Sequence, residues 1–144
     1  MKLTDKVFDR IDHVGRRYAQ FSEIFAQFLK GCTYLTDPSS PVKGIALSVS
    51  LDQNHFDVLF AGMVVRFHFV AGYGADSALT GRVIVIRVSP TFSDTPDIIG
   101  SFLFNGQGIT DFEVSDGSDK LEIEYNAAEI VLHFLDQALA KPLP

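Results

Sequence analysis

The chain has no tryptophan, one cysteine and two methionines in 144 residues. A lone thiol, Cys32, excludes an internal disulfide and sets the expectation of a reducing, cytoplasmic compartment. No stretch approaches the ~18 consecutive apolar residues of a membrane-spanning helix, so no membrane association is expected. Near the start, Lys2, Asp5, Lys6, Asp9, Arg10 and Asp12 interrupt every apolar run where the hydrophobic segment of a secretory signal would lie. Catalytic signatures are absent too: the chain has no nucleophile elbow, no HExxH and no cysteine pair. Two glycine-containing loops, Gly72–Ser77 and Asn105–Gly108, lack the Gly-Lys-Ser/Thr of a phosphate-binding loop and read as turns. No cofactor is implied.

Basic charge is scarce in one region. The net charge is −6 with a pI near 5.0, which argues against a general nucleic-acid binder. Residues 1–30 carry six Lys/Arg and four Asp/Glu, whereas residues 91–144 carry two against ten. Seven acids fall within Asp111–Glu129, with Lys120 the one base among them. Such segregation speaks of partners and solubility rather than of fold.

What is present is apolar bulk. Apolar residues make up 47% of the chain, thirteen of them Phe, far above the content of a disordered segment. The length suits one α+β domain over residues 1–144, large enough to bury a core.

Residues 4–30 read as a long helix. Val7, Ile11, Val14, Tyr18, Phe21, Phe25 and Phe28 recur at alternating gaps of four and three, a heptad-like stripe. Thr4 is the expected N-cap and Gly31 the expected C-terminal stop. Twenty-seven helical residues span about 40 Å, more than the ~24 Å across six strands. The helix is therefore expected to cover its own sheet, and one end has the reach to pair with a second copy.

From residue 45 to residue 125 short apolar runs alternate with turn signals too closely spaced for helical crossovers. This predicts a mainly antiparallel meander of six or seven strands. A two-residue turn at Ala61–Gly62 pairs Phe60 with Met63, Val58 with Val65 and Phe56 with Phe67 on one apolar face. The opposite face then pairs Asp57 with Arg66 and His55 with His68. Val83–Ile86 is apolar at both parities and is expected to be central and at least partly covered on both sides. Residues 127–140 form a second helix packed on the sheet, with Asn126 and Glu129 resembling a capping box.

Two clusters carry functional expectations. His55, Asp57, Arg66 and His68 gather ligand-type side chains on the polar sheet face, where they are a possible ligand-binding group at the mouth of a pocket between curled sheet and helix. The same residues also describe a solvated face. Asp111, Glu113, Glu122 and Glu124 share the solvent side of a hairpin. One register sets Glu113 opposite Glu122, and Asp111 opposite Glu124. A tighter Asp116–Gly117 turn sets Glu113 opposite Lys120, and Asp111 opposite Glu122. Asp116–Asp119 lacks the spacing of a calcium loop. Arg10, Arg16 and Arg17 are expected to meet the acidic segment within or between subunits. No catalytic residue and no metal ligand set is assigned.

The layout resembles small α+β adaptors such as secretion chaperones and immunity proteins, an architectural likeness without a shared motif. The expected function is a non-catalytic interaction module of adaptor, chaperone or inhibitor type. Its acidic surface would bind a basic protein partner, and the N-terminal helix would support a homodimer. The alternative is a small-molecule-binding domain or cofactor-independent enzyme.

Overall fold

A computed structural model describes residues 4–88, 97–113 and 120–142. Among these residues lie a long helix α1 (Asp5–Cys32), seven strands and a second helix α2 (Ala127–Ala140). The strands are β1 (Ala46–Val49), β2 (His55–Phe60), β3 (Met63–Tyr73), β4 (Leu79–Val88), β5 (Asp97–Phe104), β6 (Ile109–Glu113) and β7 (Lys120–Glu122). They lie in sequence order, each antiparallel to the next, as the meander expectation requires. The Ser89–Pro96 connection, Val114 and the Asp116–Asp119 turn lie outside the described residues. No helix among those described is long and apolar enough to cross a membrane.

The β2–β3 register is the one the apolar pattern predicts: Phe56 opposes Phe67, Asp57 opposes Arg66, and His55 opposes His68. Ala61 and Gly62 both adopt positive φ, at 53° and 77°, the backbone of a two-residue type I′ turn whose twist matches the strands it joins. Parity then sorts the side chains. Phe56, Val58, Val65, Phe67, Phe69, Val83, Val85, Phe102 and Phe104 all point inward and are buried.

Both helices cover that inner face. Phe28 of α1 meets Phe56, Phe67 and Phe102 at centroid distances of 5.4, 5.9 and 5.8 Å. Phe134 of α2 meets Phe67 and Phe102 at 6.0 and 5.8 Å. Each buried Phe contributes roughly 1.5–3 kcal/mol of transfer free energy, so this aromatic layer dominates the core.

Gly31 does not end α1. The helix runs on to Cys32 and into a 3-10 turn at Thr33–Thr36. Gly31 is instead where the helices touch: a Cβ there would stand 2.7 Å from Ala127 Cβ and 2.7 Å from the Glu124 carbonyl oxygen. Thr4 does occupy the N-cap position in extended conformation, but its side chain makes no capping hydrogen bond. Asn126 likewise caps by position only. Its Oδ1 accepts from Glu122 N–H (2.9 Å), tying the helix start back to β7, and its Nδ2 donates to Glu129 (3.3 Å).

The other end of α2 is held from the sheet. Arg87 follows Val83 and Val85 at inward parity, where the core runs out, and is buried. Its Nη1 donates to the carbonyls of Ala138 (2.8 Å) and Lys141 (2.9 Å), and its Nη2 to that of Pro142 (3.0 Å). Its Nε pairs with Asp97 at 2.7 Å. The guanidinium thus satisfies carbonyls that a helix C-terminus leaves without partners. Lys141 also donates to Asp97, and this bond, with Arg87 beside it, holds the Asp97 carboxyl below its ordinary value.

β4 is central, and among the described residues both helices lie on one of its faces. Ile84 and Ile86 are half-buried, flanked within their own layer by the cross-strand neighbours His68 and Arg66. Among the described residues no helix lies over them, and the partial cover they have comes from neighbouring side chains of the sheet.

Candidate functional site

The sheet's outer face brings His55, Asp57, Arg66 and His68 together. Arg66 holds Asp57 in a two-pronged ion pair, Nε to Oδ1 at 2.8 Å and Nη2 to Oδ2 at 3.1 Å. This bond raises the guanidinium pKa above its ordinary value and occupies both carboxylate oxygens. The His55 and His68 rings stand 6.0 Å apart, 31° from parallel. Burial, then the charges of His55 and Arg66, hold the His68 imidazole below its ordinary pKa, so it is neutral at pH 7. The helices lie on the opposite face, with the Phe layer in between. These four residues are therefore not at the mouth of a pocket between sheet and helix, contrary to that expectation. They sit on an open platform with Leu59, Val70, Val88 and Ile98, all exposed.

The acidic residues are dispersed rather than gathered. In the β6–β7 pairing Glu113 opposes Lys120 and Ile109 opposes Glu122, with an irregularity between them. The first pair belongs to the tighter-turn register; the second belongs to neither expected register, because the irregularity shifts the count. Asp111 turns toward β5, where its Oδ1 accepts from Leu103 N–H at 2.9 Å and extends the ladder. Glu124 falls past the end of β7, in the turn leading into α2. The Glu113 side chain lies outside the described set.

What replaces the four-carboxylate cluster is a corner. An open groove of about 810 Å³ lies between β7 and the start of α2, lined by Ile109, Lys120, Leu121, Glu122, Tyr125, Asn126 and Glu129. Tyr125 is 85% exposed beside it. Tyr125 closes the 45–125 region expected to hold the strands, but the chain leaves β7 at Glu122 and turns, and the ring faces solvent. Glu129 and Tyr125 are the residues that strand-parity reasoning missed. Their signal was the Asn126 turn, which breaks the alternation.

The basic residues of α1 do not reach this corner. Arg16 pairs with Asp12 on its own helix at 3.0 Å, and Arg17 bonds Gln20 at 3.0 Å with its guanidinium 5.7 Å from the Phe21 ring centre. Around them the stripe is half used: Phe21, Phe25 and Phe28 are buried, whereas Ile11 is 70% exposed, with Phe8 exposed beside it. Val7, Ile11 and Val14 form one wall of a second open groove of about 520 Å³, with Ala71–Tyr73 of β3 as the other. Cys32 is fully buried, and burial pushes its thiol far up, away from a reactive thiolate.

Comparison with known protein families, with curated proteins and with solved structures finds no match to this chain.

Proposed function

We propose that this chain is a non-catalytic, cytoplasmic interaction module that receives a basic protein partner at the β7–α2 corner. The observation that carries the reading is Tyr125, which stands almost fully in solvent in a groove that it lines together with Glu122, Glu129, Ile109 and Leu121. An exposed tyrosine beside apolar and carboxylate side chains is the composition of an interface anchor. Complementary charge acts chiefly on association rate, so binding weakens as salt rises. Of the acids first singled out, Glu122 lines the groove and Glu124 follows it in sequence. Asp111 is engaged with β5, so it contributes field rather than contact.

A photo-cross-linking residue placed at position 125, in the cells that make the protein, tests this. Tyr34, another exposed tyrosine, provides the control position. The expected result is one dominant adduct with a basic protein from position 125, none from position 34, and loss of the adduct in Glu122→Lys/Glu129→Lys. Equal labelling from both positions, or an adduct indifferent to the charge reversals, refutes the reading.

The exposed half of the α1 stripe supports a homodimer as a second element of the proposal. Ile11 continues the line of residues that Phe21, Phe25 and Phe28 bury against the sheet, Phe8 stands exposed one turn before it, and a second copy's helix offers the same heptad spacing.

A further inference from the structure

We propose that His55 and His68 form a two-histidine clamp for one divalent transition-metal cation, of the class of Zn²⁺, Ni²⁺ and Cu²⁺, whose other coordination positions are filled by water. The ladder itself brings the rings together. Phe69 N–H donates to the Asn54 carbonyl at 2.8 Å, so Asn54 and Phe69 belong to the hydrogen-bonded pairs of β2 and β3. Bonded and non-bonded pairs alternate, which makes the adjacent His55–His68 a non-hydrogen-bonded pair, the kind whose side chains stand closest.

The separation lies within a small side-chain adjustment of a shared ion. With metal–nitrogen bonds of about 2.0–2.1 Å and the metal in line with each ring, two imidazole centroids stand roughly 5 Å apart at a tetrahedral angle and about 6 Å apart at a wider one. The observed separation is 6.0 Å.

One ring is also oriented for the purpose. His55 Nδ1 lies 3.1 Å from the Asn54 side-chain oxygen. An amide oxygen only accepts, so Nδ1 carries the hydrogen and Nε2 carries the free lone pair. A partner on the far nitrogen is the usual support for a metal-binding histidine. The neighbouring carboxylate takes no part, because Arg66 occupies both oxygens of Asp57. Among the described residues no group of three or more His, Cys, Asp or Glu side chains is placed to hold a metal ion, so the clamp has two protein ligands. Imidazole pairs with open water positions suit zinc, nickel and copper rather than magnesium or calcium.

The test is titration of the untagged, full-length protein with ZnCl₂ and NiCl₂, followed by calorimetry and by amide NMR. The expected result is saturable binding of one ion per chain. Ni²⁺ should broaden the amides around residues 55 and 68 before any others. His55→Gln and His68→Gln should each weaken binding at least about tenfold, and Asn54→Ala by about tenfold or more. His13→Gln and His133→Gln should leave it unchanged. Absence of saturable binding, retention of affinity in both clamp variants, or broadening centred elsewhere on the wild-type protein overturns the proposal. The broadening experiment needs no variant to fold.

Discussion

Phe67 and His68 are neighbours on one strand, yet they belong to two different molecules in effect. Phe67 is fully buried, stacked on Phe56 at 5.2 Å and met edge-on by Phe28 and Phe134. His68 faces out between His55 and Ile84, with no second layer over it among the described residues. The same alternation runs through β2, β3 and β4. It leaves an inner face that two helices close and an outer face that carries cations, carboxylates and aliphatic residues in the open. The inner face supplies stability; the outer face and the β7–α2 corner stand open among the described residues. An antiparallel sheet permits this division because its short hairpins need no helices on the second face.

The sharpest way to break the closed side is at its margin. Arg87→Leu removes the guanidinium that bonds the end of α2, leaving three carbonyls and Asp97 without it. Hydrogen bonds to a charged group contribute about 1.5–3 kcal/mol each, and four are lost while Lys141 still pairs with Asp97, so denaturant unfolding should show a loss of at least about 3 kcal/mol. Hydrogen exchange should quicken first in the last turn of α2. A smaller loss, about 1–3 kcal/mol, is expected for Gly31→Ala, because the added methyl meets Ala127 and the Glu124 backbone rather than a movable side-chain tip. If Gly31 were an ordinary mid-helix glycine with open space beside it, alanine would be neutral or stabilising.

The open side should respond to pH rather than to packing. His68 has a folded pKa below its ordinary 6.5, so the unfolded chain binds that proton more tightly. The associated stability is complete above about pH 6.5 and declines as pH falls through the folded pKa. Thermal unfolding with a chelator present should therefore show a midpoint that drops as pH falls below about 6.5, and His68→Gln should flatten that slope. Asp97 acts in a lower window: its depressed pKa gives stability that is lost as pH falls below 3.8 through the folded value.

Local alternation made much of this legible. The register of β2 on β3 follows from apolar parity plus a turn of the right length, and Asp57–Arg66 and His55–His68 follow from the register. The core half of α1 is readable from Phe21, Phe25 and Phe28. What escaped depends on contacts distant in sequence. Gly31 looks like a local stop until Ala127 comes against it. Arg87 is one more strand residue until the carbonyls of α2, some fifty positions later, converge on it. The irregularity between Ile109 and Glu113 changes parity in mid-strand, so no fixed period predicted which acids share a side. The Tyr125 corner was hidden by the same fault, a strand extended past its true end.

Parallel denaturant unfolding of Phe67→Ala and His68→Ala tests most directly the division into a closed face and an open one. The account predicts a loss of about 3–5 kcal/mol for the first and less than about 1 kcal/mol for the second. Comparable losses at the two positions would contradict it, because the outer face would then be buried under a layer of its own.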